Sequence, residues 1–248
     1  MQNSVDAILE YQCDAILGEG PVWDDQKAKL YWVDILSDKL FEYDPNMRTN
    51  IAHEVGEHLG AVALRQQEGL VLAAQSGFAL YDLDSRQITD CTAPASHPET
   101  HRFNDGKCDP SGRFWAGALS CDLEEGAGSL YCLHHDLSID RKLQDLTLPN
   151  GMAWNKKQAK CYAIDTLKHT IWQFDYDDDS GQLTNRSMVR VMEKTEGYPD
   201  GMTIDREGAL WVALYNGFKV IRIDPDSGET LSQIHLPVPQ VTSCTSYV

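Results

Sequence analysis

Five short stretches of the chain carry a glycine with a similar sequence around it, and four of these glycines follow an acid or an amide. The preceding residues are Glu19, Asp105, Asn150 and Asp200, with Leu59 in the fifth stretch. Carboxylate and amide oxygens are hard donors that suit Ca²⁺, Mg²⁺ or Mn²⁺ and can also hold Zn²⁺. Asp and Asn before Gly are also common turn formers. Their recurrence at one register favours a metal site, for which Glu19, Asn150 and Asp200 are the candidate ligands.

The third stretch adds a possible substrate contact. Arg102 and Asn104 alternate along HRFNDGKC, so on an extended strand their side chains point to the same side. A guanidinium and an amide beside a metal would hold a hydroxylated or anionic small molecule. A buried structural salt bridge is the competing explanation for Arg102. The sequence shows no GxSxG motif and no plausible Ser-His-Asp set, which argues against a serine hydrolase.

The spacing of these stretches predicts the elements that position the polar residues. The intervals between successive glycines, from Gly20 to Gly201, are 40, 46, 45 and 50 residues, a period typical of four-stranded propeller blades. Within each repeat, apolar runs alternate with polar turns such as DPSGR and DREGA, as in β-meanders. An open sandwich or a barrel is the alternative. In a propeller, the first strand of each blade is innermost, which would bring the polar residues to one mouth of the central channel.

Composition narrows the class of protein. The 248 residues are 42% hydrophobic and carry a formal charge of −17, which supports a folded core and disfavours nucleic acid and anionic membrane partners. The sequence has neither a signal-like N-terminus nor a long apolar run, so we predict a cytoplasmic protein. The seven cysteines form no CxxC pair, and we expect reduced, mostly buried thiols.

Four motifs together resemble one family over nearly the whole chain. LGEGPVWD, RFNDGKCDPSGRFWAG, LPNGMAWN and YPDGMTIDREGALWVALYNG are similar to motifs of the senescence marker protein/gluconolactonase family, which includes regucalcin and sugar lactonases. The resemblance implies an all-β, six-bladed β-propeller that binds one divalent cation (Ca²⁺, Zn²⁺, Mn²⁺ or Mg²⁺) and opens the ring of aldonolactones.

The resemblance also implies roles for individual residues. Glu19, Asn150 and Asp200 match the family's metal ligands, and Asp200 also matches the general base. Arg102 and Asn104 match the substrate-binding pair. Asp122, in WAGALSCD, aligns with a position where some members place a substrate-contacting glutamate.

The end of the chain departs from the family pattern. VPQVTSCTSYV reaches the point where the sixth inner strand should begin and then stops. We therefore predict a single propeller domain over residues 1–248, truncated at its C-terminus so that the sixth blade is incomplete. Open sheet edges would make it less stable and more prone to aggregate than a full-length relative.

The function predicted on this basis is metal-dependent hydrolysis of a small sugar lactone by a monomer or a weakly self-associating protein. Two alternatives remain open at the level of sequence. One is a non-catalytic, calcium-binding regulatory propeller, and the other is a phosphotriesterase-like hydrolase with a similar metal centre.

Overall fold

The computed structural model describes residues 3–95 and 97–246. These residues form β-strands connected by turns, with two short 3₁₀ helices at Ile35–Ser37 and Lys156–Gln158. Strands form where runs of β-branched, aromatic and aliphatic residues lie between turn-forming Asp, Asn and Gly, as the sequence pattern predicts. Within the described ranges, no helix is long and apolar enough to span a membrane.

Five four-stranded antiparallel meanders, here called blades 1 to 5, follow one another along the chain. The strands of blades 1 and 2 are β2 Gly18–Asp24, β3 Lys29–Asp34, β4 Lys39–Asp44, β5 Thr49–Glu54, β6 Leu59–Leu64, β7 Leu70–Ala74, β8 Gly77–Asp82 and β9 Gln87–Thr92. Those of blades 3 and 4 are β10 His101–Cys108, β11 Phe114–Ser120, β12 Gly128–Leu133, β13 Ile139–Leu146, β14 Pro149–Asn155, β15 Lys160–Asp165, β16 Thr170–Asp177 and β17 Gln182–Val191. Blade 5 contains β18 Tyr198–Ile204, β19 Leu210–Tyr215, β20 Lys219–Ile223 and β21 Thr230–His235.

The first strand of each blade faces the centre of the molecule. Strands β2, β6, β10, β14 and β18 contact one another in that order, so the blades are arranged radially around an axis. Apolar side chains fill the spaces between neighbouring blades, for example Tyr31 with Leu72, Trp115 with Cys161, and Tyr162 with Leu210. A single meander cannot bury both of its faces, and radial packing provides a partner for each of them. The predicted all-β propeller is confirmed.

The prediction of six blades with an incomplete sixth is wrong, because the described residues form a five-bladed arrangement. The described part of the segment expected to start a sixth inner strand, residues 238–246, takes part in one isolated bridge, between Tyr215 and Gln240, and in no extended ladder. Its backbone lies as a single irregular segment between two blades. The Gly201 N–H donates to the Thr242 carbonyl (2.7 Å), and the Thr242 hydroxyl donates to the Gly18 carbonyl (2.6 Å).

The N-terminal strand protects an edge that would otherwise be open. Strand β1, Asn3–Asp6, pairs in parallel with β21 and becomes the fifth strand of blade 5. The Ala7 N–H extends this pairing by donating to the His235 carbonyl (2.8 Å). The outer edge of β21 is therefore paired, and the edge of blade 5 passes to β1, a strand of four residues. Such a short edge strand offers little surface on which another strand could pair.

The cysteines are all free thiols, as expected for a chain without CxxC pairs. Their burial differs from the prediction. Only Cys132 and Cys161 are buried, and the remainder are half-buried or exposed: Cys108, Cys244, Cys13, Cys91 and Cys121. The expectation of mostly buried thiols is therefore wrong, because several cysteines lie in loops and at outer strands instead of between the blades.

Candidate functional site

An irregularity recurs in the inner strand of every blade. The pairing between the first and second strands shifts register at the same level of the axis, between the residues Glu19 and Val22, Leu59 and Ala61, Phe103 and Gly106, Asn150 and Met152, and Pro199 and Met202. Such bulges bend a strand and redirect the side chains beside them. Most of the predicted site residues lie at or next to these shifts.

Glycines of the repeated pattern allow the inner strands to approach one another closely. A Cβ atom on Gly60 would lie 2.5 Å from the carbonyl oxygen of Asn104, and one on Gly151 would lie 2.6 Å from that of Asp200. Real Cβ atoms are excluded at such distances, so only glycine fits. The repeated pairing of a polar residue with glycine thus has a geometric cause, since glycine in one strand makes room for the polar residue of the next.

Two buried aspartates hold the loops that lead into the ligand-bearing strands. Asp34, at the end of β3, accepts hydrogen bonds of 2.9 and 2.8 Å from the last two backbone N–H groups before β2. Asp165, at the end of β15, accepts bonds of 3.0 and 3.1 Å from the last two N–H groups before β14. Burial raises the pKa of Asp34, but the nearby Ser37 hydroxyl and these backbone bonds outweigh it and leave the pKa below its ordinary value. Both carboxylates position strands that carry candidate ligands.

A cavity of about 450 Å³ opens at the end of the axis where these strands begin. Five of the six residues predicted for the site line it: Glu19, Arg102, Asn104, Asn150 and Asp200. They come from four different blades, and the radial arrangement brings them together from positions up to 181 residues apart in sequence. The volume of the cavity is in the range of pockets that bind small molecules.

The sixth predicted residue is placed differently. Asp122 lies on an exposed turn after β11, and its backbone N–H donates to the Ser120 hydroxyl (3.3 Å). Its neighbour Leu123 lines the cavity instead. A role for Asp122 in binding substrate stays a prediction.

Two other residues of the glycine pattern also differ from the ligand candidates. Leu59 is completely buried and belongs to the apolar cluster between blades 1 and 2. Asp105 lines a second cavity of about 330 Å³ further along the axis, together with Lys107. Position before a glycine therefore does not by itself place a side chain in the candidate site.

The three candidate ligands are buried next to one another. Glu19, Asn150 and Asp200 are 6, 4 and 6% exposed. The Asn150 amide nitrogen donates to Asp200 Oδ1 and to the Thr166 hydroxyl, the latter at 3.1 Å. Its amide oxygen, Oδ1, is buried and has no hydrogen-bond partner within the described part of the chain. A buried oxygen without a partner is costly and calls for an explanation.

The electrostatics of this group favour a cation. Burial, followed by the charges of Asp200 and Asp105, raises the pKa of Glu19 well above its ordinary value. Burial and the charge of Asp105 likewise raise the pKa of Asp200, against the hydrogen bond from Asn150. Three carboxylates are thus held close together away from water, where their mutual repulsion is strong. A bound cation would remove that repulsion.

The residues present fit a divalent cation. Glu19 and Asp200 supply two carboxylates, and beside them lies Asn150 Oδ1, which has no hydrogen-bond partner in the part of the chain that the structure describes. Throughout residues 3–95 and 97–246, no group of three or more His, Cys, Asp or Glu side chains is placed to hold a metal ion. The candidate set therefore consists of two carboxylates and one amide, and water or substrate oxygens would complete the coordination shell.

Arg102 and Asn104 form a hydrogen-bonded pair on the wall contributed by blade 3. Arg102 Nη1 donates to Asn104 Oδ1 and to the Phe103 carbonyl, both at 3.0 Å. Asn104 Nδ2 donates to the Pro149 carbonyl at 3.2 Å. Among the ion pairs of the described residues, none involves Arg102, so the structural salt bridge considered as an alternative is not seen there. The guanidinium keeps donors that can face a ligand in the cavity.

Other residues of the cavity were not found by sequence reasoning. Thr166, Tyr198, Tyr215 and Asn216 add polar groups, and the leucines at the mouth add an apolar surface: Leu17, Leu123, Leu148 and Leu167. Most of them lie in loops or at strand ends without a repeated motif. One signal was available for Thr166, which directly follows the strand-ending aspartate of AIDT.

Comparisons with known proteins agree with this geometry. The sequence profile described as SMP-30/Gluconolactonase/LRE-like region matches residues 17–246. The protein named "Putative sugar lactone lactonase YvrE" from Bacillus subtilis (strain 168) is 38% identical over 240 residues, which are 97% of this chain and 82% of that protein. Regucalcin from Danio rerio is 41% identical over 230 residues, with 92% of this chain and 78% of that protein covered.

Solved structures show the same architecture. A structure of luciferin-regenerating enzyme superposes with a TM-score of 0.86 at 32% sequence identity, covering 92% of this chain and 79% of that chain. The similarity therefore extends over the blades that build the cavity.

Proposed function

This chain belongs to the SMP-30/gluconolactonase/LRE-like family, and on that basis we propose that it is a hydrolase that depends on a divalent cation and opens sugar lactones. One observation carries the proposal: two buried carboxylates, and an amide oxygen with no hydrogen-bond partner among the described residues, share a cavity with an Arg–Asn pair. The first group suits a hard cation and the second suits sugar hydroxyls. The sugar lactone lactonase named among the relatives supports the choice of substrate class.

Glu19, Asn150 and Asp200 would hold the cation, whose chemistry when bound is to polarise the lactone carbonyl and to acidify water. The proposal covers Ca²⁺, Mg²⁺, Mn²⁺ and Zn²⁺, because a site of oxygen ligands can bind any of the four.

Asp200 would act as the general base. Its Oδ1 accepts a hydrogen bond from Asn150, which leaves Oδ2 to accept the proton of the attacking water. Asp200 is only 6% exposed, so the carboxylate is held in one orientation and little bulk water competes for it. The proton would later pass to the ring oxygen of the lactone as the carbon–oxygen bond breaks.

Arg102 and Asn104 would orient the substrate. Their mutual hydrogen bond keeps both side chains in place before a ligand arrives, so less entropy is lost when sugar hydroxyls bind. The leucines at the mouth would cover the apolar face of the sugar ring and exclude water.

The test is hydrolysis of D-glucono-1,5-lactone and of pentonolactones, with and without a chelator. We expect Asp200→Ala to lower kcat/KM at least about 100-fold, the lower end of what a positioned general base contributes. EDTA should abolish turnover and added cation should restore it. Asp84→Ala, an exposed aspartate in a turn of blade 2, is the matched control and should behave like wild type.

The outcomes separate the parts of the proposal. Full activity of Asp200→Ala would remove the general base, and activity indifferent to EDTA would remove the cation. Hydrolysis of an activated phosphotriester in place of every lactone tested would assign the site to a different reaction.

A further inference from the structure

Thr166 lies at the base of the cavity between two candidate ligands. It directly follows β15, is 5% exposed and lines the cavity. Its backbone N–H donates to the Leu148 carbonyl at 3.0 Å, so the backbone of this residue is fixed to the loop that leads into β14. The side chain is thereby held beside Asn150.

The hydrogen bonds of the Thr166 hydroxyl define its direction. The hydroxyl donates its single hydrogen to the Pro199 carbonyl at 2.8 Å. Its oxygen can then only accept, and it accepts from the Asn150 amide at 3.1 Å. Pro199 immediately precedes Asp200, so one hydroxyl connects the backbone that carries one ligand to the side chain of another.

This arrangement determines which way the Asn150 amide faces. A carboxamide has two N–H donors, and one contacts Thr166 while the other contacts Asp200 Oδ1. The reversed amide would set its oxygen against a carboxylate and against a hydroxyl with no hydrogen left to donate. The oxygen therefore takes the remaining direction, where it is buried without a partner in the described residues.

We propose that Thr166 is a positioning residue that orients the Asn150 amide so that its oxygen is presented to the divalent cation. The inference deepens the proposed function and rests on its cation site. In the reversed orientation the NH₂ group would point at the cation, and a ligand would be replaced by a repulsive dipole. Thr166 has no contact of its own with the cation in this account.

The experiment measures binding of Mn²⁺ alone to the 248-residue chain freed of metal, and free Mn²⁺ is followed by its electron paramagnetic resonance signal. Thr166→Val keeps the shape and removes the hydroxyl, and we expect Mn²⁺ to bind about 10- to 100-fold more weakly. Thr166→Ser keeps the hydroxyl and should bind within about threefold of wild type.

A matched control loses the same kind of hydrogen bond elsewhere. Thr170 is also buried, and its hydroxyl donates to the Lys168 carbonyl at 2.6 Å, but it does not line the cavity. Thr170→Val should therefore leave Mn²⁺ affinity unchanged. Thermal melting of each variant checks that it folds, and Thr166→Ala serves as a second deletion if the valine side chain is not accommodated.

Repeating the Thr166→Val change in an Asn150→Asp variant tests whether Thr166 acts by orienting the side chain of residue 150. Asn150→Asp replaces the amide by a carboxylate whose two oxygens are equivalent, so its orientation no longer matters. Adding Thr166→Val to Asn150→Asp should weaken Mn²⁺ binding far less than the same change does in wild type. An equal loss in both backgrounds would show that the hydroxyl acts only on local structure and would overturn the inference.

The remaining outcomes distinguish this inference from the proposed function. If wild type binds Mn²⁺, Asp200→Ala does not, and folded Thr166→Val binds like wild type, the role of Thr166 is overturned while the cation site stands. If Thr166→Ser binds as weakly as Thr166→Val, the hydroxyl is not the cause and the inference fails. If wild type and Asp200→Ala bind the same amount of Mn²⁺, or if neither binds it, there is no cation site at Asp200 and both proposals fail.

Discussion

Asn104 and Asp105 are neighbours in the third inner strand, yet they line different cavities. Asn104 lines the candidate site, whereas Asp105 lines the second axial cavity together with Lys107, whose Nζ donates to the Met202 carbonyl at 2.6 Å. The strand bulges between Phe103 and Gly106. Because of this bulge, the polar residue of blade 3 that lines the candidate site stands two residues before the glycine, whereas Glu19, Asn150 and Asp200 stand directly before theirs. Asp105 nevertheless affects the candidate ligands through its charge.

Asp105→Asn removes the charge of Asp105 while leaving the three candidate ligands unchanged, so it measures the effect of that charge alone. The negative charge of Asp105 raises the pKa of both Glu19 and Asp200, while an asparagine could still accept the bond from the Gly106 N–H. In EDTA we expect the variant to be more stable by about 0.5 to 2 kcal/mol, because the relief of repulsion with two buried carboxylates should exceed the lost attraction between Asp105 and the buried Lys107. Its Mn²⁺ affinity should fall about 3- to 10-fold. In wild type the charge of Asp105 attracts the cation without coordinating it, and the variant loses that attraction.

Urea unfolding in EDTA and Mn²⁺ titration measure the two effects, with Asp84→Asn on the exposed turn of blade 2 as control. Lower stability of Asp105→Asn in EDTA, or unchanged Mn²⁺ affinity, would contradict the electrostatic account.

At the scale of elements, an aspartate at the end of an inner strand organises two of the hairpins. In blade 5, Asp205 accepts bonds from the Trp211 indole (3.0 Å) and from Arg222 Nε (2.7 Å), as well as from the Ala209 N–H. In blade 3, Asp109 makes the corresponding bonds to Trp115 and Arg113. The tryptophan lies six residues after the aspartate in both hairpins, so the sequence carries this signal as D-x-x-G-x-x-W.

The Asp205 carboxylate predicts a pH-dependent contribution to stability. Burial raises its pKa, but the bonds from Arg222, Ala209 and Trp211 outweigh burial and leave the pKa below its ordinary value of 3.8. A carboxyl with a lowered pKa stabilises the fold above its unfolded pKa and loses that contribution as the pH falls. Asp205→Asn should therefore be less stable than wild type by about 1.5 to 3 kcal/mol at pH 7, and the gap should close below about pH 4.

Urea unfolding between pH 7 and pH 3 measures this gap. Asp25→Asn, on an exposed turn of blade 1, should show no comparable gap at any pH. A difference between Asp205→Asn and wild type that stays constant down to pH 3 would show that the charge of Asp205 contributes nothing.

At the scale of the whole molecule, one irregular segment connects the last blade to the first. Thr242 bonds to blade 5 through its carbonyl and to blade 1 through its hydroxyl. The preceding Val241 is 5% exposed and packs against Ala213 and Val220 of blade 5. Since β2 carries Glu19 and β18 carries Asp200, this connection also sets the distance between two candidate ligands.

Thr242→Val should weaken the connection. The hydroxyl bond to the Gly18 carbonyl is lost, which should lower the free energy of unfolding by about 1 kcal/mol. Amide hydrogen exchange should accelerate in β2 and β18 more than in β10, because opening would begin at this junction. Thr245→Val, an exposed position three residues further on, is the matched control, and equal effects of the two variants on stability would contradict the role given to Thr242.

Sequence alone determined the features that depend on neighbours in the chain. Apolar runs between turn residues specified the meanders, and the recurring glycines marked the inner strands correctly in all five blades. Five of the six predicted site residues line one cavity, because the repeat places most of them at similar positions of inner strands that lie far apart in sequence. Each strand register is set by local alternation, and the repeat places equivalent positions at one level of the axis.

Only the tertiary structure decided the features that depend on contacts between distant segments. The number of blades follows from how residues 236–246 and β1 pack, and neither has a sequence pattern that distinguishes a blade from a connecting segment. The same holds for the hydroxyl of Thr166, whose partners lie 16 and 33 residues away. Hydrogen-bond direction and packing arise when segments meet in space, so a position after a strand-ending aspartate marks Thr166 as a candidate but does not specify the groups that its hydroxyl will contact.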